Sequence, residues 1–170
     1  TAVTAKLLVE VCEKAGTPKG VLNLICGAGG TVGNALLDHK SVRAVSFTGS
    51  TEVGLGVYCA AAKRGVKCQC EMGGKNAAIV MADADLDLAL EGVVQGAFGS
   101  TGQRCTATSR LVIQESVADR FVQKLVARAA EIKVGNPLDA DSQMGPSVEE
   151  GQMKEVLEYI EIGKREGAKL

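Results

Sequence analysis

Arg43-Ala44-Val45-Ser46-Phe47-Thr48-Gly49-Ser50-Thr51-Glu52-Val53-Gly54 is a short β-prone run that meets a glycine turn and passes into a helix extending to about Lys63. A strand that runs into glycine and then a helix aims unpaired backbone N–H groups and the positive end of the helix dipole at one point, which suits phosphate. Ser50 and Thr51 add hydroxyls beside the helix start, and Gly54 leaves room for close approach. The same residues equally suit a plain N-cap by Ser50, with Glu52 favouring the first turn. No P-loop lysine follows, which disfavours phosphoryl transfer.

The pattern recurs on both sides. Leu7, Leu8, Val11, Cys12 and Ala15 repeat at helical spacing until Gly16 and Pro18 stop the helix. Val21 to Cys26 reads as a strand ending in Gly27-Ala28-Gly29-Gly30, with a helix over Thr31 to Leu37. Because position 32 is Val and the next glycine is Gly33, these glycines miss the G-x-G-x-x-G fingerprint and suit a tight turn at least as well. Downstream, Val66 to Glu71 is a strand, Met72-Gly73-Gly74-Lys75 breaks it, and Asn76 to Met81 is another. Asp83 or Asp85 can cap a helix from Leu86 to about Ala97. A strand over Leu111 to Gln114 leads to a helix opened by Ser116 with Asp119, which Gly135 and Pro137 end. Ser147 with Glu150 makes a capping box for the last helix. This alternation specifies an α/β fold with a parallel sheet, whose ligands gather at the carboxyl ends of the strands. A domain change is expected near residue 73, where the strand-glycine-helix rhythm alters.

The 170 residues are 46% hydrophobic, enough for a real core. A net charge of -1 and a pI near 5.9 argue against nucleic acid or an anionic membrane as partner, since both demand a concentrated basic face. No apolar stretch approaches the roughly 20 residues of a membrane helix. Cys12, Cys26, Cys59 and Cys68 lie inside apolar patterns, where a free thiol behaves as a small hydrophobe, so a reducing, cytoplasmic protein is expected. Cys68-Gln69-Cys70 is read as two thiols on alternating strand faces, with no second pair or histidine cluster to complete a metal site. The single histidine, His39, follows a helical run and reads as a solvated helix-end residue.

Cys105 sits in the polar stretch Gly99-Ser100-Thr101-Gly102-Gln103-Arg104-Cys105-Thr106-Ala107-Thr108-Ser109-Arg110, where no apolar periodicity would bury it. A guanidinium beside an exposed thiol favours the reactive thiolate, so Cys105 next to Arg104 is a candidate nucleophile; an unreactive loop cysteine fits the same residues. With one histidine placed elsewhere, the base for such a thiol is sought among carboxylates. Glu71 ends a strand beside Met72-Gly73-Gly74, which by itself describes an ordinary solvated glutamate.

Taken in order, Phe47-Thr48-Gly49-Ser50-Thr51-Glu52-Val53-Gly54, Glu71-Met72-Gly73-Gly74-Lys75-Asn76 and Gly102-Gln103-Arg104-Cys105-Thr106-Ala107-Thr108-Ser109-Arg110 resemble the aldehyde dehydrogenase superfamily. The resemblance runs essentially end to end and takes in Lys133-Val134-Gly135-Asn136-Pro137 and Met144-Gly145-Pro146. It implies the end of a Rossmann-like cofactor domain over residues 1–73 joined to the start of an α/β catalytic domain over 74–170. It implies Cys105 as nucleophile and Glu71 as the base that activates water. NAD or NADP would lie with its pyrophosphate facing Gly49, Ser50 and Gly54. The adenine side would meet Gly29, Gly30 and Val53, and the nicotinamide would lie near Met72 and Gly73.

On this resemblance an aldehyde is oxidised through a thiohemiacetal and a thioester, and Glu71 favours hydrolysis to the acid over transfer to coenzyme A. Some relatives with Gln-Arg-Cys-Thr at this point act on anionic aldehydes, so Arg104 is expected to assist the carboxylate of an acidic semialdehyde such as α-ketoglutaric semialdehyde. The resemblance also implies a homo-oligomeric complete enzyme and an upstream asparagine oxyanion donor outside these residues, so the chain is read as a fragment inactive alone. Two other readings compete: a non-catalytic binding or structural module of this fold, and a thiol-redox protein using Cys68, Cys70 or Cys105.

Overall fold

The computed structural model describes residues 2–170. They form two compact units, one reaching to Met72 and the other spanning Gly73–Leu170.

The first unit begins with helix α1 (Ala2–Lys14), which buries none of its residues. A π-helical turn (Gly29–Gly33) leads into a single turn of α-helix, α2 (Asn34–Asp38). Strand β1 (Ala44–Gly49), helix α3 (Thr51–Lys63) and strand β2 (Lys67–Met72) then make a parallel βαβ unit. Helix α3 starts where the sequence places it, because Ser50 Oγ accepts the Val53 N–H at 3.3 Å and serves as its N-cap. Its other end is tied down by Arg64, whose guanidinium donates to the carbonyls of Leu37, His39 and Val42. That places positive charge on the last carbonyls of α2, the favourable sign for a helix C-terminus. His39 is the exposed C-cap of α2, as its helix-end reading requires.

The expected strand over Val21 to Cys26 does not form, and these residues are exposed, irregular chain. β propensity measures fit to a pleated, half-buried surface, and within this unit β1 and β2 pair only with each other.

In the second unit, β3 (Asn76–Val80) and β4 (Thr108–Ile113) pair in parallel across helix α4 (Leu86–Phe98), with a register shift between Asn76 and Ala77. Asp85 is the cap of α4, accepting from the N–H groups of Asp87 and Leu88 at 3.1 Å. Helix α5 (Glu115–Ala130) closes the core, in which fully buried Phe121 packs with Val80, Leu90, Val93 and Val94. Two ion pairs, Lys124–Asp87 at 2.5 Å and Arg128–Glu91 at 2.9 Å, lace α5 to α4.

Two expected caps are absent. Helix α5 already begins at Glu115, so Ser116 lies inside it; Gln114 is the cap residue, and its side chain instead accepts the Ala82 N–H. Helix α6 (Glu150–Arg165) is capped by Glu149 without a side-chain bond, and Ser147 lies outside. The nearby Val148 N–H goes to Gln103 Oε1 at 3.0 Å, a long-range contact that draws the chain away from capping-box geometry.

Candidate active site

In the second unit, α4 ends at Phe98 and the chain turns back through Gly99–Gly102. Ser100, Thr101 and Gly102 are all left-handed, with φ of 54°, 56° and 67°. Only the last is a glycine, and a Cβ there would stand 2.8 Å from the Ala97 carbonyl oxygen. Left-handed conformations cost a non-glycine residue roughly 1–2 kcal/mol, so surrounding bonds must hold the reversal. Gln103 supplies them, joining Thr101 Oγ1 through Nε2 and the Val148 N–H through Oε1.

Cys105 follows at the corner of a turn closed by the Ala107 N–H donating to the Arg104 carbonyl at 3.1 Å. Its thiol is exposed. Asn76, the first residue of β3, holds this turn from below: Nδ2 donates to the Cys105 carbonyl at 2.6 Å and to the Ala107 carbonyl at 3.2 Å. Sequence reasoning overlooked Asn76. The available signal was an asparagine opening a strand, where this residue type is depleted.

The Arg104 guanidinium donates through Nη2 to the Gln95 carbonyl at 3.2 Å. It thereby sits at the negative end of α4, a favourable place for a cation.

In the first unit, β1 and β2 run in register, so Thr48 faces Glu71 and Gly49 faces Met72. Glu71 is exposed near the carboxyl end of β2 and accepts a hydrogen bond from Gln69 Nε2 at 3.1 Å. Helix α3 begins beside it, and its first N–H groups have no intrahelical acceptor. Gly54 is buried, and a Cβ there would stand 2.6 Å from Met72 Sδ and 3.1 Å from Phe47 Cε1. A Cβ on Gly49 would likewise meet the Phe47 ring at 2.5 Å.

A cleft of about 460 Å³ in the same unit is lined mainly by apolar groups, among them Leu37, Val45, Phe47 and Val57. Gly29 and Val53 line it, whereas Gly30, Gly49, Ser50, Gly54, Met72 and Gly73 do not. Its lining suits a flat, weakly polar ring, and the nearby α3 N-terminus suits an anion.

Two thiol readings need correction. Residues two apart on a strand share a face, so Cys68 and Cys70 lie together, with Sγ atoms 3.6 Å apart. Cys26 and Cys59, placed by their apolar neighbours inside the fold, are exposed. Among the described residues no group of three or more His, Cys, Asp or Glu is arranged to hold a metal.

The model of the aldehyde dehydrogenase family matches residues 1–170. The chain is 50% identical over 170 residues to alpha-ketoglutaric semialdehyde dehydrogenase of Bacillus subtilis, covering all of this chain and 35% of that protein. It is 50% identical over 172 residues to 2,5-dioxopentanoate dehydrogenase of Saccharolobus solfataricus, covering all of this chain and 36% of that protein. Among solved structures, betaine aldehyde dehydrogenase of Staphylococcus aureus in complex with NAD+ superposes with a TM-score of 0.92 at 40% identity, covering 98% of this chain and 33% of that one. The chain thus spans about a third of the length of these relatives.

Proposed function

The chain belongs to the aldehyde dehydrogenase family, and from that premise we propose that it is part of an NAD(P)-dependent enzyme oxidising an acidic semialdehyde to the carboxylic acid. The observation that carries this reading is the exposed Cys105 thiol at the corner of a turn that Asn76 holds by two carbonyls. In this reading residues 1–73 belong to the cofactor domain and 74–170 to the catalytic domain.

The Cys105 thiolate adds to the aldehyde carbon, and its own backbone N–H is one donor for the oxyanion that results. The nicotinamide cofactor, when bound, supplies the hydride acceptor. Gly29 and Val53 in the apolar cleft, with Gly30, would hold its adenine side. The α3 N-terminus at Gly49, Ser50 and Gly54 would receive its pyrophosphate, and Met72 and Gly73 would serve its nicotinamide. Glu71 takes the proton of the water that hydrolyses the Cys105 thioester. Arg104 assists the substrate carboxylate; its place on the α4 end requires the guanidinium to share its donors between Gln95 and the substrate. The names of the two relatives at 50% identity support the substrate class. We further infer a cytoplasmic homo-oligomer acting without nucleic acid; the six free thiols favour a reducing compartment, and no described helix is long and apolar enough to cross a membrane.

The test is an aldehyde panel with NAD and NADP on the full gene product and its Arg104→Met variant. The expected outcome is a rise in KM for the anionic semialdehyde far above that for a neutral aldehyde. Equal effects on both would remove Arg104 from substrate recognition, and no aldehyde-dependent reduction of either cofactor would overturn the proposed activity. The 170 residues alone are expected to show no turnover.

A further inference from the structure

Cys68 and Cys70 leave the same face of β2, half-buried, with their sulfurs 3.6 Å apart. The Cys70 S–H donates to the Gly54 carbonyl at 3.4 Å, which fixes one thiol of the pair against α3.

Three kinds of chemistry are open to such a pair, and the geometry separates them. A disulfide requires sulfurs at about 2.0 Å and Cα atoms within about 4.4–6.8 Å. Two residues of strand span about 6.6 Å, the far end of that window, so a direct bond would bend β2 where Cys68 and Cys70 pair with Val45 and Phe47. Zinc holds thiolates at about 2.3 Å, which puts two tetrahedral sulfurs about 3.8 Å apart, but a structural site needs four donors. No third His, Cys, Asp or Glu joins the pair among the described residues. What remains is a soft, thiophilic centre satisfied by two sulfurs that brings its own third substituent.

We propose that Cys68 and Cys70 form a dithiol clamp for monosubstituted trivalent arsenicals. With methylarsonous acid, two As–S bonds form while two S–H and two As–O bonds break. Each hydroxyl leaves with a thiol proton as water, arsenic stays trivalent, and no electron is transferred. The protonation of Cys70 agrees with this route. Desolvation, then the hydrogen bond with Cys68, pushes the Cys70 thiol up from its ordinary range. A thiol held as S–H is a poor nucleophile toward peroxide, whereas the arsenical supplies oxygens that carry the protons away. Cys105 has threonine and arginine neighbours and binds an arsenical through one sulfur only.

The experiment treats the full gene product with equimolar methylarsonous acid, challenges it with excess 2-mercaptoethanol, and maps the adduct by mass spectrometry. The expected result is one adduct, on the peptide carrying both Cys68 and Cys70, that survives the monothiol and is released by 2,3-dimercaptopropanol. Cys68→Ala and Cys70→Ala each lower its retention at least tenfold, and Cys105→Ser leaves it unchanged. Mapping on the unsubstituted chain decides the question even if a variant fails to fold. A monothiol-resistant adduct elsewhere, or none at all, would overturn the proposal.

Discussion

Asn76 Nδ2 lies 2.6 Å from the carbonyl oxygen of Cys105, so one side-chain amide at the start of β3 fixes the backbone that carries the exposed thiol. The donor character of the amide is what counts. Asn76→Ala removes two hydrogen bonds, each worth about 1 kcal/mol, and should lower the melting temperature while raising amide exchange over residues 104–107. Asn76→Asp turns a donor into an ionised acceptor facing two carbonyl oxygens. It should destabilise more than alanine does near neutral pH, and the gap should narrow as the carboxylate is protonated. Hydrogen exchange read by mass spectrometry, with melting curves at two pH values, checks both orders.

Gly54 and Met72 form a second test. Alanine in a helix interior is favoured over glycine by about 1 kcal/mol, but at position 54 its Cβ would stand 2.6 Å from Met72 Sδ, and overpacking costs about 1–3 kcal/mol. Gly54→Ala should therefore destabilise the chain. In a Met72→Ala background the tightest obstruction is gone and only the 3.1 Å approach to Phe47 Cε1 remains, so the same substitution should cost less. Chemical denaturation of the four proteins in the cycle measures the coupling between the two positions.

Asp87 gives a dependence on acid. The hydrogen bond from Lys124, then its charge, holds the Asp87 carboxyl below its ordinary range. A lowered folded value means that the native state holds its proton less tightly than the unfolded chain. The stabilisation is therefore present above the unfolded value, about 3.9, and is lost as pH falls through the folded one. The pair is exposed at the surface, so the effect is small and screened by salt. Thermal melts across that acid range should fall more steeply for the parent than for Asp87→Asn, and the difference should shrink in high salt.

Local chemistry made several elements readable. Ser50 and Asp85 cap α3 and α4 because each helix begins immediately after a residue with a side-chain acceptor, and the periodic apolar residues of α1 and α4 mark their spans. What escaped reading depends on partners distant in the chain. Val21 to Cys26 has strand composition and no ladder; Ser147 has capping composition, but Gln103 takes the neighbouring N–H. Arg104 is adjacent to Cys105 in sequence, yet its guanidinium is drawn to the end of α4, and Asn76 reaches the same turn from the start of β3. The motifs of the candidate site were visible as residue types; which atoms support them was set by non-local packing.

The in-register pairing of Thr48 with Glu71 and Gly49 with Met72 has a consequence for how this sequence tolerates change. The interval between Glu71 and the start of α3 is set by peptide groups of the ladder, which every residue except proline provides in full. Exposed side chains along these strands, such as Ser46 and Gln69, are therefore free to drift without altering that interval. An insertion or deletion of one residue in either strand would displace it by a full step, so this segment should vary by substitution and not in length.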